Sequence, residues 1–347
     1  MKKIASVEAF IDLLSFERFE VIDKNQFNWD NILQKTNKQS VYYDSHYIKF
    51  RLECLRGNGI ECLDLSLGIK LANEIVAIIP LFYFKNGKEF QLSFLENSIY
   101  PPLFVSKISK KIEKEVSNIL IDNLKVLFEL LELKSLVIAD QLYPNRSLSI
   151  WHKTNMNRAK HCSFIRESFV DLSQDYSTLK SYYRKSYKAL ISKGYKLLSP
   201  FKLDHNDSKV WEEFKALHFK SAGRITRSEK SWDLLFDQVK EKNANFYFCR
   251  DHNGIMIGGS LVMICKHEAI YAVAAYDRSL FHLPIGHPLQ DFIIKDLLNT
   301  QVQWYRLGRL YNKIDFDCPT DKEIQIGQFK SGFSSDLIAS YRFTEFN

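Results

Sequence analysis

No run in the 347 residues reaches the roughly 18 consecutive apolar positions that a membrane-crossing helix needs, so the chain is not expected to span a bilayer. Its six cysteines, at 54, 62, 162, 249, 265 and 318, include no C-x2-C pair. That leaves no metal framework and no reason to expect disulfides. Cys249 and Cys265 fall inside expected strands and read as buried thiols. A secretory leader is poorly supported. The stretch MKKIASVEAFIDLL has two lysines and a short apolar run, but Glu8 and Asp12 interrupt it and no small-residue cleavage site follows. A cytoplasmic location is the default expectation, with peripheral contact at a membrane surface left open. The glycines at 258 and 259 make no nucleotide-binding fingerprint; inside a strand they permit a bulge or a close ligand approach.

Hydrophobic residues make up 46% of the chain, enough for a real core. The length suits two domains or one large α/β unit. Phenylalanine and tyrosine number 26 and 17; beyond filling a core, such side chains line grooves for sugars and peptides. The formal charge of +7 favours encounter with phosphates, nucleotides or RNA, or does no more than aid solubility.

The chain is organised around Ala244–Gly308. Two β-branched and aromatic runs, Asn245–Cys249 and Ile255–Cys265, flank Asp251-His252-Asn253-Gly254, a strong hairpin signal. A short turn at Lys266-His267-Glu268 leads to a third strand, Ala269–Ala275. A polar loop, Tyr276–Gly286, follows. Pro288 then marks a first helical turn, with Leu289, Phe292, Ile293, Ile294, Leu297 and Leu298 at helical spacing. Gln303–Leu307 returns as a fourth strand. The first part repeats this grammar faintly: strand Glu74–Tyr83 with Pro80 hinting at an edge or bulge, turn Lys85–Lys88, strand Phe90–Phe94, helix Ser109–Leu131, strand Lys134–Ala139. Arg146–Trp151 stays undecided. A boundary near 160–175 gives two α/β lobes. Between that boundary and the organising stretch lies Leu179–Leu197, whose Lys180, Arg184, Lys185, Lys188, Lys193 and Lys196 have no acid among them, with Gly194 read as the helix terminator. Helices Trp211–Arg224, Lys230–Lys240 and Glu323–Lys330 and a final strand Ser334–Tyr341 complete the pattern.

Three places resemble the FemA/FemX/FemB group. They are the basic helix Tyr183–Gly194; the block Gly258–Ser260, Tyr271–Tyr276 and His287–Leu298; and Tyr305-Arg306-Leu307-Gly308 followed downstream by Phe329-Lys330-Ser331-Gly332-Phe333. The resemblance covers about residues 175–340, with 1–165 matching in outline. It implies an α/β (α+β) chain of two GNAT-like lobes, each a mixed or antiparallel sheet flanked by helices: 1–165, and an acyltransferase lobe, 166–347. It further implies an N-acyltransferase that needs no covalently bound cofactor and no metal. Its co-substrate would be an aminoacyl-tRNA or an acyl-coenzyme A, and its acceptor an amine on a cell-envelope precursor, a peptidoglycan peptide or an amino sugar. Two departures leave the donor open. The basic stretch lacks the long helical hairpin of members that grip tRNA, and Arg224–Arg227 and Ala275–Ser279 differ from bridge-forming enzymes. Coenzyme A-dependent N-acylation in surface polysaccharide synthesis is one alternative; a non-catalytic RNA- or envelope-binding protein on the same fold is another.

Acyl transfer to an amine needs a base, donors for an oxyanion and a basic cradle for the carrier. Asp277 and His287 flank the loop before the helix and are the base candidates, with Asp291 one turn on from His287 and able to orient it. His287 could equally begin the helix only, with Asp291 favouring the helix dipole, and orientation alone can drive such reactions. The resemblance gives Lys330 the donor phosphate or the oxyanion. Arg309 ends a strand where α/β ligands bind. Tyr276 and Arg278 lie in the same loop, Arg278 reading as an acceptor anchor or as a solvent partner of Asp277. Arg224 and Arg227 bracket Ile225-Thr226 as an anion clamp. Arg184, Lys185 and Lys188 form a basic surface for nucleic acid or membrane, or a solvated face. Asp277, His287 and Lys330 are expected to share one cavity.

Overall fold

A computed structural model describes residues 6–14, 18–36, 40–87, 89–94, 98–141, 148–204, 207–315 and 317–346. Lys88 of the expected turn, Arg146 at the start of the undecided segment and residues 1–5 of the N-terminal stretch lie outside them. The chain divides into two compact units: one up to Ile165 and again from Ile338, the other Arg166–Leu337. The C-terminal residues therefore group with the first unit, not with the second lobe to which the sequence assigns them.

In the first unit, Pro80 breaks what the sequence reads as one strand. Glu74–Ile79 joins a sheet with Glu20–Asp23, Leu67–Leu71 and Leu103–Phe104, while Phe82–Asn86 joins another with Cys62–Asp64 and Glu89–Ser93. Proline has no N–H for a ladder, so pairing stops there and resumes in a different sheet. The helix Lys110–Leu130 is capped by Ser109 and buries Val116, Leu120, Ile121, Leu124 and Leu127 on one stripe, in a core shared with Trp151 and Phe343. The undecided segment contributes a helix, Ile150–Arg158, capped by Ser149. Strand Ile138–Gln141 pairs with the chain's last strand, from Ser340 opposite Gln141 to Phe343 opposite Ile138.

In the second unit the strands lie in the order Ser199–Lys202, Ala244–Arg250, Met256–Ile264, Glu268–Tyr276, Trp304–Leu310 and the end of Ala159–Asp171. The expected hairpin forms: the Asp251 carboxylate accepts from the backbone N–H groups of Asn253 and Ile255, both at 2.9 Å, and Gly254 takes φ +79°. The helix Gly286–Leu297 buries Leu289, Ile293, Ile294 and Leu297 against a core with Tyr247, Val262 and Tyr305. The basic helix runs through to Leu197, past Gly194. That glycine is there for space and does not end the helix: a Cβ on it would stand 2.6 Å from Pro288 of the neighbouring helix.

The F-K-x-G-F segment closes this core. Phe333 is buried against Tyr183 and Tyr187, with ring centroids 5.3 and 4.9 Å away. Gly332 lies flat on the Tyr187 ring, where a Cβ would approach to 2.2 Å. A buried charge cluster fastens the adjoining strands. Arg306 donates to both Glu167 oxygens at 3.0 and 2.9 Å and to Glu268 at 3.0 and 2.8 Å, with all three side chains no more than 7% exposed.

Two changes test these contacts. Gly332→Ala, strained by volume alone since the backbone there is right-handed helical, should destabilise the fold by about 1–3 kcal/mol, read as a lower thermal midpoint. Arg306→Met strands two carboxylates in the interior and should cost about 3–5 kcal/mol in denaturant unfolding, against less than about 0.5 kcal/mol for the exposed control Lys193→Met.

Candidate functional site

The site begins where two parallel strands part. Glu268–Tyr276 and Trp304–Leu310 pair at three positions only: Glu268 with Trp304, Ala269 with Tyr305 and Ile270 with Arg306. Beyond these, the first strand stays with its other neighbour as far as Tyr276 opposite Gly258. The second stays with Ala159–Asp171 as far as Leu310 opposite Arg166. A wedge therefore opens between two central strands.

Two sheet irregularities furnish that wedge. A break in register between Arg306 and Gly308 puts Gly308 at φ +110°, and a side chain there would press to 3.1 Å from the Lys330 ammonium. A second break, between Leu261 and Val262, puts Tyr271 and Tyr276 on one side of the sheet. Their hydroxyls are 2.8 Å apart, and the Tyr276 hydroxyl is 3.2 Å from Ser260 Oγ. Lys330 Nζ lies over the Tyr271 ring, 5.3 Å from its centroid. It has no hydrogen-bond or ion-pair partner among the described residues. The residue as a whole is half-buried, yet its ammonium end lies deep enough that burial brings its pKa down to about 8, with Glu167 pulling weakly the other way.

The helix Gly286–Leu297 starts at the same place. A Cβ on Gly286 would meet Phe329 at 2.8 Å and Tyr276 at 3.5 Å. No side chain among the described residues caps this helix; the His287 N–H donates to the Pro284 carbonyl at 3.2 Å, and the other first-turn donors at this dipole end suit an anion.

His287 and Asp277 do not complete this cavity as the sequence reading expects. The His287 ring is held edge-on by Tyr187 and Phe329, at centroid distances of 4.6 and 5.3 Å. Burial pushes its pKa down to about 4, and Nδ1 is buried without a hydrogen-bond partner among the described residues. Such an imidazole is neutral at physiological pH and too weak a base to take a proton from an ammonium. Asp291 does not orient it. That carboxylate accepts from Tyr176 at 2.7 Å and Tyr195 at 2.9 Å and pairs with Lys295 at 2.7 Å, so it ties helices together. Asp277 lies toward the other side of the sheet. Gly258 and Gly259 face opposite ways, the first toward Ile285 and Tyr276, the second toward Phe214 and Phe246. Asp277 binds Lys220 at 2.7 Å, from the same helix as Phe214. That lysine and Ser279 hold the Asp277 pKa below the ordinary value. The carboxylate caps a short turn, accepting from the Ser279 N–H and hydroxyl at 3.1 and 2.7 Å.

The arginines divide similarly. Arg309, expected at the donor, is instead paired with Asp315 and Asp317 and stacked on Tyr311 at 4.4 Å, which neutralises it inside its own loop. Arg227 turns onto His218 at 3.0 Å and onto the Trp232 ring at 5.3 Å, so it does not clamp an anion together with Arg224. Arg224 and Arg278 are exposed, Arg278 without the Asp277 pair considered for it. Arg184 donates to the Gln328 carbonyl at 2.9 Å and lies over Tyr187 at 5.0 Å, fastening the basic helix to the F-K-x-G-F segment. Lys185 and Lys188 project from that helix into solvent.

Tyr271 and Gly308 stand in segments that carry the resemblance but receive no role in the sequence reading, and Lys220 escapes it. Tyr271 and Gly308 owe their places to breaks in register, which no residue pattern announces. Arg306, an arginine between buried tyrosine and leucine in a strand, did carry a signal: a charge in such a run demands a buried counter-charge.

A comparison with models of known families gives no match, and one with curated protein sequences gives none either. Solved structures do resemble the chain in fold. The crystal structure of FemX matches with TM-score 0.66 at 12% identity, over 94% of this chain and 97% of that one. L-PGS from Bacillus licheniformis matches with TM-score 0.55 at 11% identity, over 93% and 92%. A tandem GNAT protein from the clavulanic acid biosynthesis pathway matches with TM-score 0.50 at 10% identity, over 94% and 98%. The chain thus has a mixed α/β architecture of GNAT type, its sheets flanked by helices.

Proposed function

We propose that this protein is an N-acyltransferase whose chemistry takes place in the wedge between Glu268–Tyr276 and Trp304–Leu310, with Lys330 as its principal electrostatic group. The observation that carries this reading is the Lys330 ammonium at Gly308, without a hydrogen-bond or ion-pair partner among the described residues, in a gap where a side chain on residue 308 would obstruct it. An activated acyl group entering that gap brings its carbonyl oxygen to Nζ. Attack by the acceptor amine forms the new N–C bond and pushes the carbonyl electrons onto that oxygen, which the ammonium meets. Collapse breaks the bond to the carrier, which departs as thiolate or alkoxide, and the amine nitrogen gives up its proton. A fixed cation in a partly dry site stabilises developing oxyanion charge far better than water does.

A carrier with phosphate groups fits the uncapped start of Gly286–Leu297, beside Tyr276 and Phe329. The splayed strands favour an acyl-coenzyme A donor over aminoacyl-tRNA. An extended thioester arm can lie between two strands that have stopped pairing, each of which still presents backbone groups to the gap. The exposed lysines Lys185, Lys188, Lys193 and Lys196 are the feature that would serve tRNA or an anionic membrane surface instead. The acceptor class follows the resemblance: an amine on a cell-envelope precursor, a peptide or an amino sugar. Among the described residues no side chain in the wedge is a competent general base, so acceleration rests on orientation and charge, with the acceptor amine delivered neutral or losing its proton to water.

Native mass spectrometry against acetyl-, succinyl- and long-chain acyl-coenzyme A and against charged tRNA should show an acyl-coenzyme A adduct. With the donor so identified, Lys330→Met should lower the transfer rate by about 100-fold or more while leaving donor binding within a few fold. A wild-type rate in that variant would remove Lys330 from the mechanism. The rate should fall as pH rises through about 8, where Lys330 loses its proton in the free protein, and a bound anion should move that limb to higher pH. Stability gives an independent check. The folded pKa of Lys330 lies below its unfolded value, so burying the cation costs stability below about pH 8. The cost shrinks as pH climbs to the ordinary lysine range. Lys330→Met should therefore be the more stable protein at pH 7, by up to about 3 kcal/mol, with the gain vanishing near pH 10.5.

A further inference from the structure

The first unit holds a cavity of about 280 Å³ between helix Ile150–Arg158, the start of strand Ala159–Asp171 and the last strand. His152 lines it and is only 2% exposed. One of its nitrogens is already committed: Nδ1 is 3.1 Å from Asp140 Oδ2, and Asp140 is itself 4% exposed. A carboxylate only accepts, so Nδ1 donates, and in the neutral imidazole Nε2 is left as an acceptor. Ser149 steadies the same carboxylate, donating to Oδ2 at 3.2 Å, while its Oγ accepts from the His152 N–H at 2.9 Å. The Tyr341 and Phe343 rings stand edge-on to the imidazole at 5.0 and 5.3 Å and fix its plane. Nε2 has no partner among the described residues, although the imidazole is almost wholly withdrawn from solvent.

A ring nitrogen on a side chain this buried, aimed by a buried carboxylate and left without a partner among the described residues, is unusual in a wall otherwise made of aromatic and aliphatic groups. The rim has the opposite character. Lys160 is exposed without a partner among the described residues, and His161 is exposed beside Glu345 at 3.2 Å. Met156, 56% exposed, stands over one side.

We infer that this cavity is a second ligand site, for a compact and largely apolar molecule with a hydroxyl at its buried end and an anionic group at its outer end. The hydroxyl donates to His152 Nε2, the body lies against Tyr341 and Phe343, and the anion meets Lys160. A hydroxyaryl carboxylate is the simplest member of that class. The site stands on residues of the first unit alone and does not depend on the acyltransferase reading.

The test uses the full chain and 4-hydroxybenzoate as the probe, with benzoate and phenol as partial probes, followed by protein-observed NMR. For a molecule of this size, 4-hydroxybenzoate should bind with a Kd of about 1 mM or tighter. Benzoate and phenol should each bind about tenfold more weakly. The His152 ring nitrogen signals should move on titration with 4-hydroxybenzoate and stay put with benzoate. Met156→Trp, which crowds the mouth from an exposed position, should abolish binding in a folded protein, and Lys160→Ala should erase the advantage of 4-hydroxybenzoate over phenol. Equal binding of 4-hydroxybenzoate and benzoate, indifference to Met156→Trp, or no saturable binding at 10-fold the expected Kd would each overturn the assignment and leave the Asp140–His152 pair as a staple between helix and strand.

Discussion

Arg306 sits at the last rung where the two parallel strands still pair, opposite Ile270. It reaches Glu167 on one neighbouring strand and Glu268 on the other. That placement matters because parallel strands left to themselves would go on pairing: each further rung satisfies backbone groups that otherwise need water or ligand. The guanidinium, forked between two carboxylates, fixes three strands at one level. Above that level, the break in register before Gly308 turns the Trp304–Leu310 strand away. The wedge exists because a rigid clamp lies directly beneath a bend. Three apolar residues in place of the charges could bury as much surface. They would not set the level, since apolar contact has no preferred register while bidentate hydrogen bonds do.

The same logic explains the position of Lys330. Its helix is pinned at one end by the capping box of Thr320 and Glu323 and at the other by Phe333 and by Gly332 lying on Tyr187. Gly327 brings the helix within 3.0 Å, measured from a would-be Cβ, of the backbone at Tyr311. With both ends and the middle held, the lysine has one direction left, over Tyr271 and into the wedge. The aromatic ring face compensates part of the lost hydration, and Glu167 adds a weak attraction from a distance. Neither is a hydrogen bond.

How much of this was legible in the residues varies with the length of the pattern that encodes it. The Asn253-Gly254 hairpin, the Leu289–Leu297 helix face and the F-K-x-G-F segment are local patterns, and each specifies its own geometry. For Asp277 and Asp291 the sequence lacks a local sign of the partner each one has. A titratable residue at the end of an element looks free in one dimension. Its partner, Lys220 for Asp277 or Tyr176 and Tyr195 for Asp291, comes from 57 to 115 positions away. For Arg309 the partners were near in sequence, Asp315 and Asp317, and the acidic loop after Gly308 could have been read as its counter-charge. Gly194 shows the converse error. A glycine near a helix end suggests a stop, yet here its missing side chain is what admits Pro288.

Lys330 differs from the other charged candidates withdrawn from solvent in having no hydrogen-bond or ion-pair partner among the described residues. Asp277, Asp291, Arg227 and Arg309 all have their charge or hydrogen-bonding capacity answered by neighbours, as a stable fold requires. A buried cation answered only by a ring lowers stability in the free protein, and the surrounding structure could have removed the problem with any acid nearby. Asp315, Asp317 and Glu167 are all in this unit, and each is committed to an arginine. The arrangement therefore neutralises the arginines and leaves the lysine charged and open. In the proposed acyl transfer the missing counter-charge would arrive with the substrate, first as a polarised carbonyl and then as an oxyanion.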